Sequence, residues 1–147
     1  SVFCVKLKAM EIDRDQIKAV AEKYDLEFVV LFGSQATGQT HEQSDVDIAY
    51  FPPNGFSFDQ ESRLYLDMTR ALSKNEIDLV NLKLVSSLLL KQVVDKGLVL
   101  YEKHKGNFDE FVLYAFRIYN ESAPLRQLER EYVLDKIDDY ALELNQK

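Results

Sequence analysis

The stretch Val29 to Phe51, VVLFGSQATGQTHEQSDVDIAYF, constrains this chain more than any other. An apolar run, Phe28 to Phe32, ends on Gly33-Ser34. After ten intervening residues, Asp45-Val46-Asp47 opens a second apolar run. The pattern predicts a strand entering a tight turn at Gly33, where the missing Cβ lets backbone approach a ligand closely. Ser34 then opens a short helical turn whose free N–H groups suit an anion such as phosphate. Side chains alternate across a strand, so Asp45 and Asp47 are expected side by side on one face. Two neighbouring carboxylates repel unless a cation lies between them. Mg²⁺ takes hard oxygen ligands of this kind while keeping substrate phosphates in its shell. A phosphate cradle beside metal-binding carboxylates points to nucleotide chemistry. The competing view, a surface loop ending in two solvated acids, leaves the strand–turn–helix setting unexplained.

Length and charge narrow the remaining options. At 147 residues the chain is long enough for one domain with a real core, and 46% apolar content excludes a disordered polymer. The net charge of −7 disfavours an extended nucleic-acid footprint, which needs clustered Lys and Arg, and suits a basic protein patch or a cationic small molecule. A single cysteine, Cys4, can form no internal disulfide, which favours a reducing cytoplasm. No apolar run reaches the length of a membrane span, and no signal peptide is apparent.

Taken in order, residues 1–9 are set aside as a leader, whether an added segment or an upstream extension. Asp13 reads as an N-cap with Gln16 three residues on, ahead of Ile17, Val20, Ala21 and Tyr24 at helical spacing, in a helix expected to cover one sheet face. Leu26 to Phe32 is the first strand, and Ile48 to Phe51 completes the second, ended by Pro52-Pro53 and Gly55. Ser57 caps a helix presenting Leu64, Tyr65, Met68 and Leu72 to the core. Ile77 to Leu82 is the third strand. Its Asp78 sits in an otherwise apolar run, where a buried acid requires a partner. Ser86 or Ser87 caps the next helix, closed by Gly97 at the usual C-terminal glycine position, before a short strand, Leu98 to Tyr101. Asn107 and Glu110 form a capping-box pattern ahead of an aromatic helix, and Pro124 breaks the chain before a charge-rich helix, Leu125 to Leu144. His41, in the polar linker, and Arg63 and Arg70, on the second helix, are read as solvated groups rather than ligands.

The GS, ten residues, DxD pattern resembles the signature of the DNA polymerase β-type nucleotidyltransferase superfamily. The likeness is closest to the minimal nucleotidyltransferases, MNT proteins, that serve as antitoxins in HEPN–MNT toxin–antitoxin pairs. It covers about residues 13 to 103. The family pattern asks for a third carboxylate on a later strand, and Asp78 in Glu76-Ile77-Asp78-Leu79-Val80 matches it. The resemblance implies an α+β fold: a small mixed sheet covered by helices, residues 10–103, with a two-helix C-terminal extension, 104–147, that binds a partner. It also implies AMP transfer from ATP, with Asp45, Asp47 and Asp78 holding two Mg²⁺ ions and Gly33 and Ser34 gripping phosphates. The implied acceptor is a tyrosine hydroxyl of a HEPN ribonuclease toxin, in a hetero-oligomer. Two rivals stand beside this reading. One is a small-molecule transferase of the aminoglycoside-modifying kind, and the other is an antitoxin that acts by contact alone.

Overall fold

The computed structural model describes residues 12–33 and 46–146. Asp13 caps α1 (Arg14–Lys23), its carboxylate accepting from the Asp15 and Gln16 amides. The helix ends at Tyr24, and Leu26 leaves it with its amide on the Ala21 carbonyl, 2.9 Å away. Strand β1 (Phe28–Phe32) therefore begins two residues later than the apolar pattern suggests. It pairs antiparallel with β2 (Val46–Phe51) on one side and with β4 (Leu98–Glu102) on the other, while β3 (Ile77–Asn81) runs parallel to β2. The four-stranded mixed sheet has the order β3-β2-β1-β4.

All five residues of β1 are buried because helices cover both faces of the sheet. Val29 and Leu31 meet α1 and α2 (Phe58–Leu72) through Ile17, Ala21, Leu64 and Met68, each of them fully buried. Ser57 and Gln60 form a reciprocal capping box at the start of α2. Phe28, Val30 and Phe32 face α3 (Ser87–Lys96) and α4 (Asn107–Glu121) through Leu90, Val93, Phe108 and Phe111. The fold is thus α+β, as the sequence implies, with a helix pair on either face.

Three local expectations need correction. Gly97 follows α3 with φ −71°, an extended conformation and not a left-handed cap. Glycine is required there because a Cβ would run into the Val93 carbonyl and come within 2.6 Å of Val30 Cγ1. Asn107 does not cap α4. Its side-chain amide donates instead to Glu27 Oε2 at 2.8 Å, and the Phe108 amide is taken by Glu102 Oε2 at 3.0 Å. A carboxylate from β4 therefore does what a capping side chain would do, and it also favours the positive end of the helix. Finally, α5 (Ala123–Asn145) starts ahead of Leu125, with Pro124 inside its first turn, where proline lacks no needed hydrogen bond.

Candidate functional site

The site grows from the turn at the end of β1. Gly33 has φ +74°, a region that L side chains avoid. A Cβ built there would overlap Asp47 Oδ2 and lie 3.0 Å from its Cγ, so the Asp47 carboxylate occupies the space that glycine leaves open. The pairing of Phe32 with Asp47 creates this contact by setting Asp47 beside the turn. Along β2, Val46, Ile48 and Tyr50 point to the α1–α2 side, which leaves Asp47 on the α3–α4 side with Ala49.

Parallel pairing of β2 with β3 sets Asp47 directly against Asp78. Ile77 and Leu79 belong to the α1–α2 core and Val80 to the other, so Asp78 shares the face of Asp47. Neighbouring strands lie about 4.8 Å apart, which makes the two acids immediate neighbours. Asp78 is exposed and Asp47 half-buried. The expectation that Asp78 needs a partner to survive burial is therefore wrong: β3 is an edge strand, and its outer residues reach solvent. The reason for a cation is instead the juxtaposition of like charges. At such a separation the repulsion runs from about 1 kcal/mol in bulk water to about 3 kcal/mol near a protein surface.

Ser34, His41 and Asp45 lie outside the described residues. Among the described residues no three His, Cys, Asp or Glu side chains are grouped to hold a metal ion. The pair Asp47 and Asp78 offers hard carboxylate oxygens at the mouth of a turn kept open by glycine, a donor set that fits Mg²⁺ and excludes soft-metal preference. Arg63 and Arg70 sit on α2, which packs on the opposite sheet face. Arg63 is paired with Asp59 at 2.9 Å and Arg70 lies 3.8 Å from Asp67. Their reading as surface charges agrees with this placement.

A cleft of about 810 Å³ lies at the other end of the sheet, lined by Phe28, Phe51, Pro52, Lys83, Phe111 and Tyr114 among others. It shares no residue with the carboxylate pair. Sequence patterning did not reveal it, since its walls come from four separate segments that only the tertiary fold brings together.

Acids on adjoining strands of a small mixed sheet, opposite a glycine turn, define a nucleotidyl-transfer domain. The chain belongs to the polymerase beta nucleotidyltransferase family, whose model matches residues 15–106. It is 30% identical over 112 residues to the protein adenylyltransferase MntA of Shewanella oneidensis, covering 76% of each chain. Among solved structures, it is similar to a chain of a toxin–antitoxin crystal structure with AMP-PNP. That match has a TM-score of 0.68 at 26% identity, covering 85% of this chain and 98% of the other. A chain from a structure of tri-AMPylated Shewanella oneidensis HEPN toxin in complex with MNT antitoxin matches with a TM-score of 0.56 at 25% identity. The match spans 90% of this chain and 94% of that one. Among the described residues, no helix is long and apolar enough to cross a membrane.

Proposed function

We propose that this protein is an antitoxin that transfers AMP from ATP to a tyrosine hydroxyl of a cognate HEPN ribonuclease toxin, and so neutralises it in the cytoplasm. The observation that carries the reading is the in-register pair Asp47 and Asp78 beside the Gly33 turn. Family membership supports the reaction class. The likeness to a protein adenylyltransferase, and to an MNT antitoxin in complex with an AMPylated toxin, supports the donor and the acceptor.

Gly33 and Ser34 hold the terminal phosphates of ATP and so orient the α-phosphorus for in-line attack. Asp45, Asp47 and Asp78 would hold two Mg²⁺ ions, which would neutralise the triphosphate charge. Asp78 is the more exposed of the described pair and sits on the edge strand, where an acceptor can approach. It takes the phenol proton as the phenolic oxygen bonds to the α-phosphorus. The bond from the α-phosphorus to the bridging oxygen breaks, and pyrophosphate leaves with those electrons. The proton then passes from Asp78 to solvent. AMP on the toxin adds a bulky anion near a surface that must bind RNA phosphates, and the two repel.

The discriminating experiment offers Mg·ATP with two acceptors in parallel, the cognate toxin and a basic aminoglycoside, and reads peptide-level mass spectra and drug masses. AMP on a toxin tyrosine with an unmodified drug is the expected result. A modified drug with an unmodified toxin would replace this reading by the small-molecule rival.

A further inference from the structure

Helix α5, charge-rich in sequence, also carries apolar side chains that the rest of the described chain leaves uncovered. It has no buried residue along Ala123–Asn145. Nine large apolar side chains on it are each more than half exposed. At about 100° per residue, Leu125, Leu128 and Tyr132 form one stripe on its first half. Val133, Ile137, Tyr140 and Leu144 form another on its second half, turned by about 120° from the first. The two stripes face different ways, and Leu134 and Leu142 fall outside both, so apolar groups emerge on more than one side of the second half.

The base of this helix is held firmly. The Tyr119 ring meets two cations, Lys91 Nζ at 4.6 Å from its centroid and Arg126 Cζ at 3.7 Å. Arg126 Nη1 donates to the Tyr119 carbonyl at 2.7 Å, and the Ser122 hydroxyl meets that of Ser87 at 3.2 Å. From that anchor α5 extends about 35 Å with its sides uncovered. Most helical stability in proteins comes from packing an apolar face, and apolar groups on several sides make solvent a poor neighbour.

We infer that α5 is a docking spike that the toxin grips on both stripes at once; this rests on the antitoxin reading above. Three observations select this occupant over a second copy of the chain. A straight helix from another copy covers one stripe and leaves the other in water, whereas a partner with a concave surface can reach round about 120°. Two copies each carrying a net charge of −7 also repel. The helix itself bears six acids, from Glu129 to Glu143, against Arg126, Arg130 and Lys136. That balance suits a partner whose surface is basic because it must bind RNA phosphates. The area is also adequate. The seven side chains of the two stripes offer on the order of 800 Å², what one partner contributes to a standard interface.

The test uses the full chain and full-length toxin with two double variants, Leu128→Glu with Tyr132→Glu and Ile137→Glu with Tyr140→Glu. Glutamine at the same positions separates lost apolar contact from added charge, and circular dichroism of each variant checks that the helix stays folded. Each pair is expected to weaken toxin binding about tenfold or more, measured by calorimetry, with Mg·ATP affinity unchanged. AMP transfer is expected to fall at low toxin and recover at saturating toxin. Parent-like toxin binding by either pair overturns the two-stripe grip. A dimer of the chain alone, dissociated by these variants in sedimentation, makes a second copy the occupant and also overturns it. Toxin that binds through α5 yet gains no AMP leaves the docking assignment standing and removes the reaction instead.

Discussion

Gly33→Ala tests the link between turn and carboxylate, and Gly55→Ala provides its control. The two glycines have nearly the same positive φ, +74° and +76°. Alanine in that conformation costs about 1–2 kcal/mol at either position. For a domain of this size each kcal/mol lowers the melting temperature by about 2–4 °C, so both variants should melt several degrees early. Only Gly33 carries a second consequence. A Cβ at Gly55 meets nothing within 4 Å, whereas a Cβ at Gly33 falls on the Asp47 carboxylate. Asp47 must then move by about 1 Å, a displacement that costs on the order of a hundredfold in rate, or about 2.7 kcal/mol of barrier. The assay pairs thermal melts with initial rates of AMP transfer at saturating ATP and toxin. Gly55→Ala should keep near-parent rates, and Gly33→Ala should lose about two orders of magnitude. Equal rates in the two variants would refute the claim that the glycine makes room for the carboxylate.

Asp45→Asn and Asp47→Asn should each reduce Mg²⁺-dependent transfer on the order of a thousandfold or more with the fold intact, checked by rate and circular dichroism. Asp78→Asn should keep measurable Mg·ATP binding by calorimetry while losing transfer, because its duty lies on the acceptor side; binding lost as fully as in Asp45→Asn would count against that division. Asp67 lies between α1 and α2, accepting from Lys23 Nζ at 2.8 Å and from the Tyr24 hydroxyl at 2.6 Å. The hydrogen bond from Lys23, followed by that from Tyr24, holds its carboxyl below the ordinary value of 3.8. A depressed carboxylate stabilises the fold fully above the ordinary value and loses that contribution as pH falls through its own lowered value. Melting curves of parent and Asp67→Asn should therefore differ by a constant amount above about pH 5 and converge in stronger acid.

Element order was legible because each helix and strand carries its own periodicity and cap. Asp13, Ser57 and Ser86 cap the helices the sequence assigns to them. What failed depends on contacts distant in sequence. The α4 cap comes from Glu102, and Asn107, which looks like a capping residue, is taken by Glu27, eighty residues away. Gly97 mimics a left-handed cap in sequence, but the Val30 methyl on β1 is what excludes a side chain there. Alternation places Asp47 on one face, yet only the parallel register of β2 with β3 sets it against Asp78. Charged residues interspersed along α5 obscure the turn between its two apolar stripes. The aromatic residues of α4 are legible as core in part: Phe108 and Phe111 pack on Phe28 at 5.4 and 5.1 Å, while Leu113 and Tyr114 stay exposed.

The most direct measurement is the intact mass of the cognate toxin after incubation with Mg·ATP and either the parent chain or Asp47→Asn, with a chelated control. The parent is expected to add one or more whole AMP masses to the toxin, located on tyrosine. Neither Asp47→Asn nor the chelated reaction is expected to add any at comparable times, although Asp47→Asn still binds the toxin. A toxin mass unchanged by the parent, or AMP added equally well by Asp47→Asn, would contradict this reading.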